Sequence, residues 1–147
     1  MNLFNIRKSF EMKKAKGWPE IYVCIDLHGT IIPSGRNSED GKDYLSFYEG
    51  AKEVLQWFSR RRDIIMILWT STPANRIAPV WQFLTDNQIY FDYLNGNPHA
   101  KDTPRSDFSK KFYFNILLDD RGGFDPETDW KAIKRELIDI GEWQREI

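Results

Sequence analysis

Cysteine and histidine are scarce: one Cys, Cys24, and two His, His28 and His99, stand among 147 residues. A single Cys cannot close an internal disulfide, and so few soft ligands argue against a protein-built zinc site. No apolar run approaches the ~20 residues of a membrane-spanning helix. No signal-peptide pattern opens the chain, and no Gly-rich phosphate loop or dinucleotide fingerprint is found. Charge of one sign is missing too. The 21 Lys and Arg balance 22 Asp and Glu, for a net charge of -1, so nothing draws the molecule as a whole toward nucleic acid or anionic membrane. No repeat or low-complexity tract is found. These absences predict a soluble cytoplasmic protein without a membrane partner, and they say nothing of oligomeric state.

What is present is a core. Hydrophobic residues make up 41% and aromatics 15%, with six Trp, which excludes a disordered chain and suits one domain of ordinary size. The stretch from Ile21 to Ile32, IYVCIDLHGTII, is a short apolar run broken by Asp26 and a Gly-containing turn. Its lack of polar alternation predicts a strand covered on both faces, as in a parallel α/β sheet. Asp26 then lies at the strand's C-terminal edge, where such sheets place their ligands. A lone Asp there is a turn residue or cap; its companions decide otherwise.

Ahead of that strand, residues 1–18 predict a basic amphipathic helical segment, with Leu3, Ile6 and Phe10 at helical spacing and a stop at Gly17 and Pro19. It is read as a helix packed by its apolar stripe, its cations solvated. Nucleic acid is not expected as a partner, and this basic helix is the one hint of it. A long polar connection, Pro33 to Leu45, has the character of a flap. A helix over Glu49 to Arg62 follows, and Arg60, Arg61 and Arg62 complement its dipole. The second strand, Ile64 to Trp69, runs into Thr70, Ser71, Thr72 and Pro73, hydroxyls that serve a phosphate or cap the next helix, Ala74 to Asn87. A third strand is expected at Ile89 to Leu94, then a polar loop from Asn95 to Ser109 that contains His99. Lys110 and Lys111 lead into a fourth strand, Phe112 to Leu118, ending in Asp119 and Asp120. A closing helix is expected over Asp129 to Ile140.

This alternation predicts a three-layer α/β/α domain, a Rossmann-like parallel sheet with helices on both faces. If the first strand lies between the second and fourth, Asp26, Thr70, Asp119 and Asp120 crowd one edge. Adjacent carboxylates after an apolar run repel each other, and a bound cation relieves that. Mg²⁺ suits all-oxygen ligands and keeps places for water and phosphate. Thr70, Ser71 and a lysine can take the remaining phosphate oxygens.

DLHGT at Asp26 to Thr30, the apolar strand ending in Thr70, the lysines before a strand, and LLDD at Leu117 to Asp120 resemble the four motifs of the haloacid dehalogenase superfamily. FDYLNGNP from Phe91 to Pro98 and DDRGGFDPETDW from Asp119 to Trp130 resemble a group of its small bacterial and phage hydrolases without a large cap domain. The likeness runs from Glu20 to Ile140 within a hydrolase-like domain over 19–147. It implies an Mg²⁺-dependent phosphatase for a small phosphorylated metabolite or nucleotide. Asp26 would be the nucleophile, forming an aspartyl-phosphate. Asp26, the backbone carbonyl of His28 and Asp120 would bind Mg²⁺, with Asp119 an accessory or second ligand. Thr70 would hold the phosphoryl group, and Lys111, or Lys110 in a shifted register, would neutralise it.

His28 departs from the pattern, because such phosphatases usually carry an acid/base aspartate two residues after the nucleophile. Histidine can move protons near neutral pH, and it can equally be a turn residue. A second class therefore stands beside the enzyme, a non-catalytic phosphate- or phosphoprotein-binding module. Signalling receiver domains place their acidic pair after the first strand, an order this chain does not have.

Overall fold

The computed structural model describes residues 2–33, 45–109 and 111–145. Four parallel strands form one sheet in the order β3-β2-β1-β4. Its centre is β1 (Ile21–Asp26) and β2 (Ile64–Trp69), and its edges are β3 (Tyr93–Leu94) and β4 (Ile116–Leu118). The first strand thus lies between the second and the fourth, as expected. Ile21 pairs with Ile64 and Asp26 with Trp69, so the two central strands end level.

Both edge strands are shorter than their apolar runs. Ahead of β4, Asn115 continues the pairing with its own side chain, whose Oδ1 accepts the Tyr22 amide at 2.8 Å. Ahead of β3, Asp92 Oδ2 takes the Met66 amide at 2.8 Å. A side chain replaces a backbone carbonyl in each case, and regular pairing starts only after it.

The helices are α1 (Ile6–Lys16), α2 (Ala51–Arg60), α3 (Ala74–Asp86) and α4 (Asp129–Asp139). Because successive strand residues point to opposite faces, Val23, Ile25, Met66, Leu68, Ile116 and Leu118 share one face. That face forms a single core with Phe10 of α1, Leu55 of α2, Val80 of α3 and Trp130 of α4. All four helices therefore bury into the same side of the sheet.

The other face carries Tyr22, Cys24 and Asp26 of β1 and Ile65, Ile67 and Trp69 of β2. Cys24 and Ile67 are fully buried, yet they stand outside the helical core. On this face Tyr113 meets Tyr22 edge-on at 5.3 Å, and Phe112 stacks on Trp69 at 4.9 Å, both from the segment between β3 and β4. The expectation of helices on both faces is corrected here. Among the described residues the third layer is an aromatic-rich segment, in which Gly96, Pro98 and Pro104 oppose helix formation and the rings supply the apolar cover.

The basic N-terminal helix packs by Ile6 and Phe10. Three of its cations are answered within the chain, Arg7 by Glu136 at 2.8 Å and Asp139 at 2.6 Å, Lys13 by Asp63 at 3.2 Å, and Lys14 by Glu142 at 3.8 Å. Arg61 also departs from the helix-dipole role. It grips Asp63 through two 2.8 Å bonds and reaches Glu142 at 2.9 Å. No helix among the described residues is long and apolar enough to cross a membrane.

Candidate active site

Asp26 closes β1, and the chain then reverses at once: the amides of Ile31 and Ile32 both donate to the carbonyl of Leu27, at 2.9 and 3.2 Å. Gly29 makes the reversal with φ +81, a conformation that costs a side chain-bearing residue. The turn delivers Thr30, fully buried, back beneath the strand end. Its hydroxyl lies 3.1 Å from Asp26 Oδ2 and 3.3 Å from Asp120 Oδ1. The indole Nε1–H of Trp130 on α4 donates to the Thr30 carbonyl at 2.8 Å, fixing the turn from the core side.

Asp119 and Asp120 follow β4, which pairs with β1 up to Ile25 opposite Leu118. One carboxylate oxygen from each of Asp26, Asp119 and Asp120 can be chosen so that all three lie within 4.8 Å of one another. Asp26 and Asp119 are half-buried and Asp120 is exposed. Burial, then the neighbouring Asp120 and Asp119, push the Asp26 carboxyl up to about 7, against a smaller downward pull from Thr30. Three acids this close need a proton or a cation, and an all-oxygen donor set is what Mg²⁺ takes. The residues present fit such an ion. Asp119 has a structural task that sequence reasoning missed: its Oδ1 accepts the Arg121 amide at 3.0 Å and so caps the 3-10 turn Asp120–Gly122.

Thr70 lies one residue beyond Trp69, the partner of Asp26 in the ladder. Asn95 clamps its backbone, accepting the Thr70 amide at 2.7 Å and donating to the Thr70 carbonyl at 2.8 Å. The Thr70 hydroxyl is 2.9 Å from that of Thr72. Ser71 is exposed between them. His28 stands in the turn, bridged through its backbone to Ile32, and its ring is not among the clustered ligand atoms.

Lys111 is exposed. Its neighbour Phe112 stacks on Trp69, which ties the lysine-bearing segment to the edge where Asp26 ends. Lys110 lies outside the described residues, as do 34–44 of the expected flap.

Thr30 and Asn95 took no role in the sequence reading. Thr30 had a usable signal, its place in DLHGT four residues after Asp26. Asn95 had none beyond its position after a strand, where its φ of 54 suits an Asn.

No family model, curated protein or solved structure matches the chain.

Proposed function

We propose that the protein is an Mg²⁺-dependent phosphatase of the haloacid dehalogenase type, hydrolysing phosphate monoesters of small metabolites or nucleotides through an aspartyl-phosphate at Asp26. One observation carries the reading: the carboxylates of Asp26, Asp119 and Asp120 converge at the C-terminal edge of β1 and β4, with Thr70 just past the level end of β2. The order of the motifs along the chain agrees with it.

Asp26, Asp120 and the backbone carbonyl of His28 would hold the ion, Asp119 supporting from its capped turn. When bound, Mg²⁺ would neutralise the carboxylates and the phosphoryl oxygens. The Asp26 carboxylate would attack phosphorus with one oxygen. The new P–O bond forms as the ester P–O bond breaks, and the leaving oxygen takes a proton from a general acid, the role open to His28, or from solvent. Water then attacks the same phosphorus, giving its proton to the conjugate base of that acid or to solvent, and the Asp26 O–P bond breaks to release inorganic phosphate and the Asp26 carboxylate. Thr70 Oγ1 donates to the phosphoryl group, and Lys111 offsets its charge. Thr30 orients Asp26.

A second reading, a binder that keeps the pocket but does not turn over, is favoured by His28 in the acid/base position. Incubation with an aryl phosphate, with and without Mg²⁺, separates the two. Metal-dependent phosphate release absent from an Asp26→Asn control supports the enzyme; release no greater than that control leaves the binder.

A further inference from the structure

Asp26 and Trp69 are ladder partners on adjacent strands, so their side chains rise from the same face of the sheet with backbones ~4.8 Å apart. Trp69 is 40% exposed although it follows the wholly buried Leu68. One side of its indole is taken by Phe112, stacked almost parallel at 15° and 4.9 Å between centroids. Phe112 in turn meets Phe114 at 6.1 Å, and Phe114 is 39% exposed. Trp69, the ladder partner of Asp26, thus carries Phe112 on one side of its ring with Phe114 beyond it, and exposed Lys111 is next to Phe112 in the chain. Among the described residues the other exposed large apolar side chains are Leu45, Tyr90 and Leu94.

A ring array that served only to cover the sheet would be expected to turn its largest member inward. An exposed aromatic patch bordered by charged groups instead marks a surface that receives a flat ligand. The ligand must also place a phosphate at Asp26, because the patch shares that strand end. A nucleobase joined through a sugar to a phosphate meets both demands, and stacking accepts any base since every base has a π-face. A sugar phosphate or an aliphatic phosphate uses only half of this surface. The near-neutral charge of the chain also fits a ligand with few phosphates rather than a long polyanion.

We propose that Trp69, Phe112 and Phe114 form a stacking platform for a nucleobase, which makes the substrate a nucleoside monophosphate or the phosphorylated end of a short single strand. This rests on the phosphatase reading for the phosphate's position, while the platform itself does not depend on turnover.

The test compares binding of two phosphonate analogues that no phosphatase cleaves, those of adenosine 5′-monophosphate and of ribose 5-phosphate, by calorimetry in Mg²⁺. The adenosine analogue is expected to bind roughly fivefold or more tightly, the least that stacking on one ring supplies. That ratio should shrink in Trp69→Leu and, independently of any folding defect there, in Phe114→Leu. Equal affinities, binding of neither analogue, or a ratio unmoved by both substitutions would overturn the platform. A preserved ratio without Mg²⁺-dependent hydrolysis of adenosine monophosphate would remove the enzyme and keep the platform. A 5′-phosphorylated tetranucleotide in competition then separates the two sources: tighter binding than the mononucleotide indicates a strand end, equal binding a free nucleotide.

Discussion

The backbone amide of Asp120 donates to the hydroxyl of Thr30 across 3.1 Å, fastening the last acid of the cluster to the turn that follows the first. The same hydroxyl has one proton to give, and Asp26 Oδ2 is its nearer acceptor. Thr30→Val keeps the shape and removes both bonds. Leaving the Asp120 amide unpaired in a part-buried site should cost about 1–3 kcal/mol, read by urea unfolding. Mg²⁺ affinity by calorimetry should fall with it. A variant unchanged in both would mean that the hydroxyl orders nothing.

Gly29 and Gly17 share a positive φ, +81 and +65, yet differ in surroundings. A Cβ at Gly29 would sit 2.8 Å from Asp120 Oδ2, whereas nothing lies within 4 Å at Gly17. Gly17→Ala should lose only the ~1–2 kcal/mol of the left-handed conformation and keep Mg²⁺ binding. Gly29→Ala should lose stability by a similar or larger amount and also displace Asp120. Parallel unfolding curves and Mg²⁺ titrations check this, and intact Mg²⁺ binding in Gly29→Ala would contradict the close approach.

Proton and cation compete at Asp26. Its carboxyl is raised to about 7 from an ordinary 3.8, by burial first and then by Asp120 and Asp119. Above pH 4 the unfolded chain releases a proton that the folded chain retains. The stability owed to this group is therefore present at low pH and lost as pH rises from about 4 to about 7 in the absence of a divalent cation. Asp26→Asn should flatten that decline. Mg²⁺ should raise Tm strongly at pH 8 and little at pH 5. Equal shifts at the two pH values in a scanning melt would speak against the competition.

His28→Asp places a carboxylate where the resemblance implies the acid/base. We expect faster turnover of an aryl phosphate at neutral pH, with general acid–base help typically worth ~10²–10⁴-fold as a ceiling. Loss of turnover to background would instead assign the proton transfer to His28 itself.

The sheet was legible in the sequence because its strands are apolar runs with sharp polar ends. Asp26, Trp69 and Leu118 each fall where the run stops, and Asp26 and Asp120 could be placed at one edge from strand order alone. The edge strands misled. Phe112 and Tyr113 look like strand residues, but their rings reach Trp69 and Tyr22, and periodicity records that a side chain is buried rather than which hydrogen bonds its backbone makes. Ile89 and Phe91 join the helical core in the same way, outside the ladder. The missing helical layer was hidden for a related reason: polar spacing between Asn95 and Ser109 resembles a loop whether it hangs free or roofs a sheet. Asp119 looked unexplained because a cap on the turn after it depends on a φ, ψ path that composition does not encode. Thr30 illustrates the limit within the site, since its role comes from a bond to a residue 90 positions away.

Trapping the covalent intermediate tests the central claim most directly. The protein would be mixed with a phosphate ester and Mg²⁺, quenched in acid, reduced with borohydride and mapped by mass spectrometry. The account predicts conversion of residue 26 to homoserine, dependent on Mg²⁺ and absent from Asp26→Asn. Phosphate release with no modification at residue 26, or modification of another residue, would contradict it.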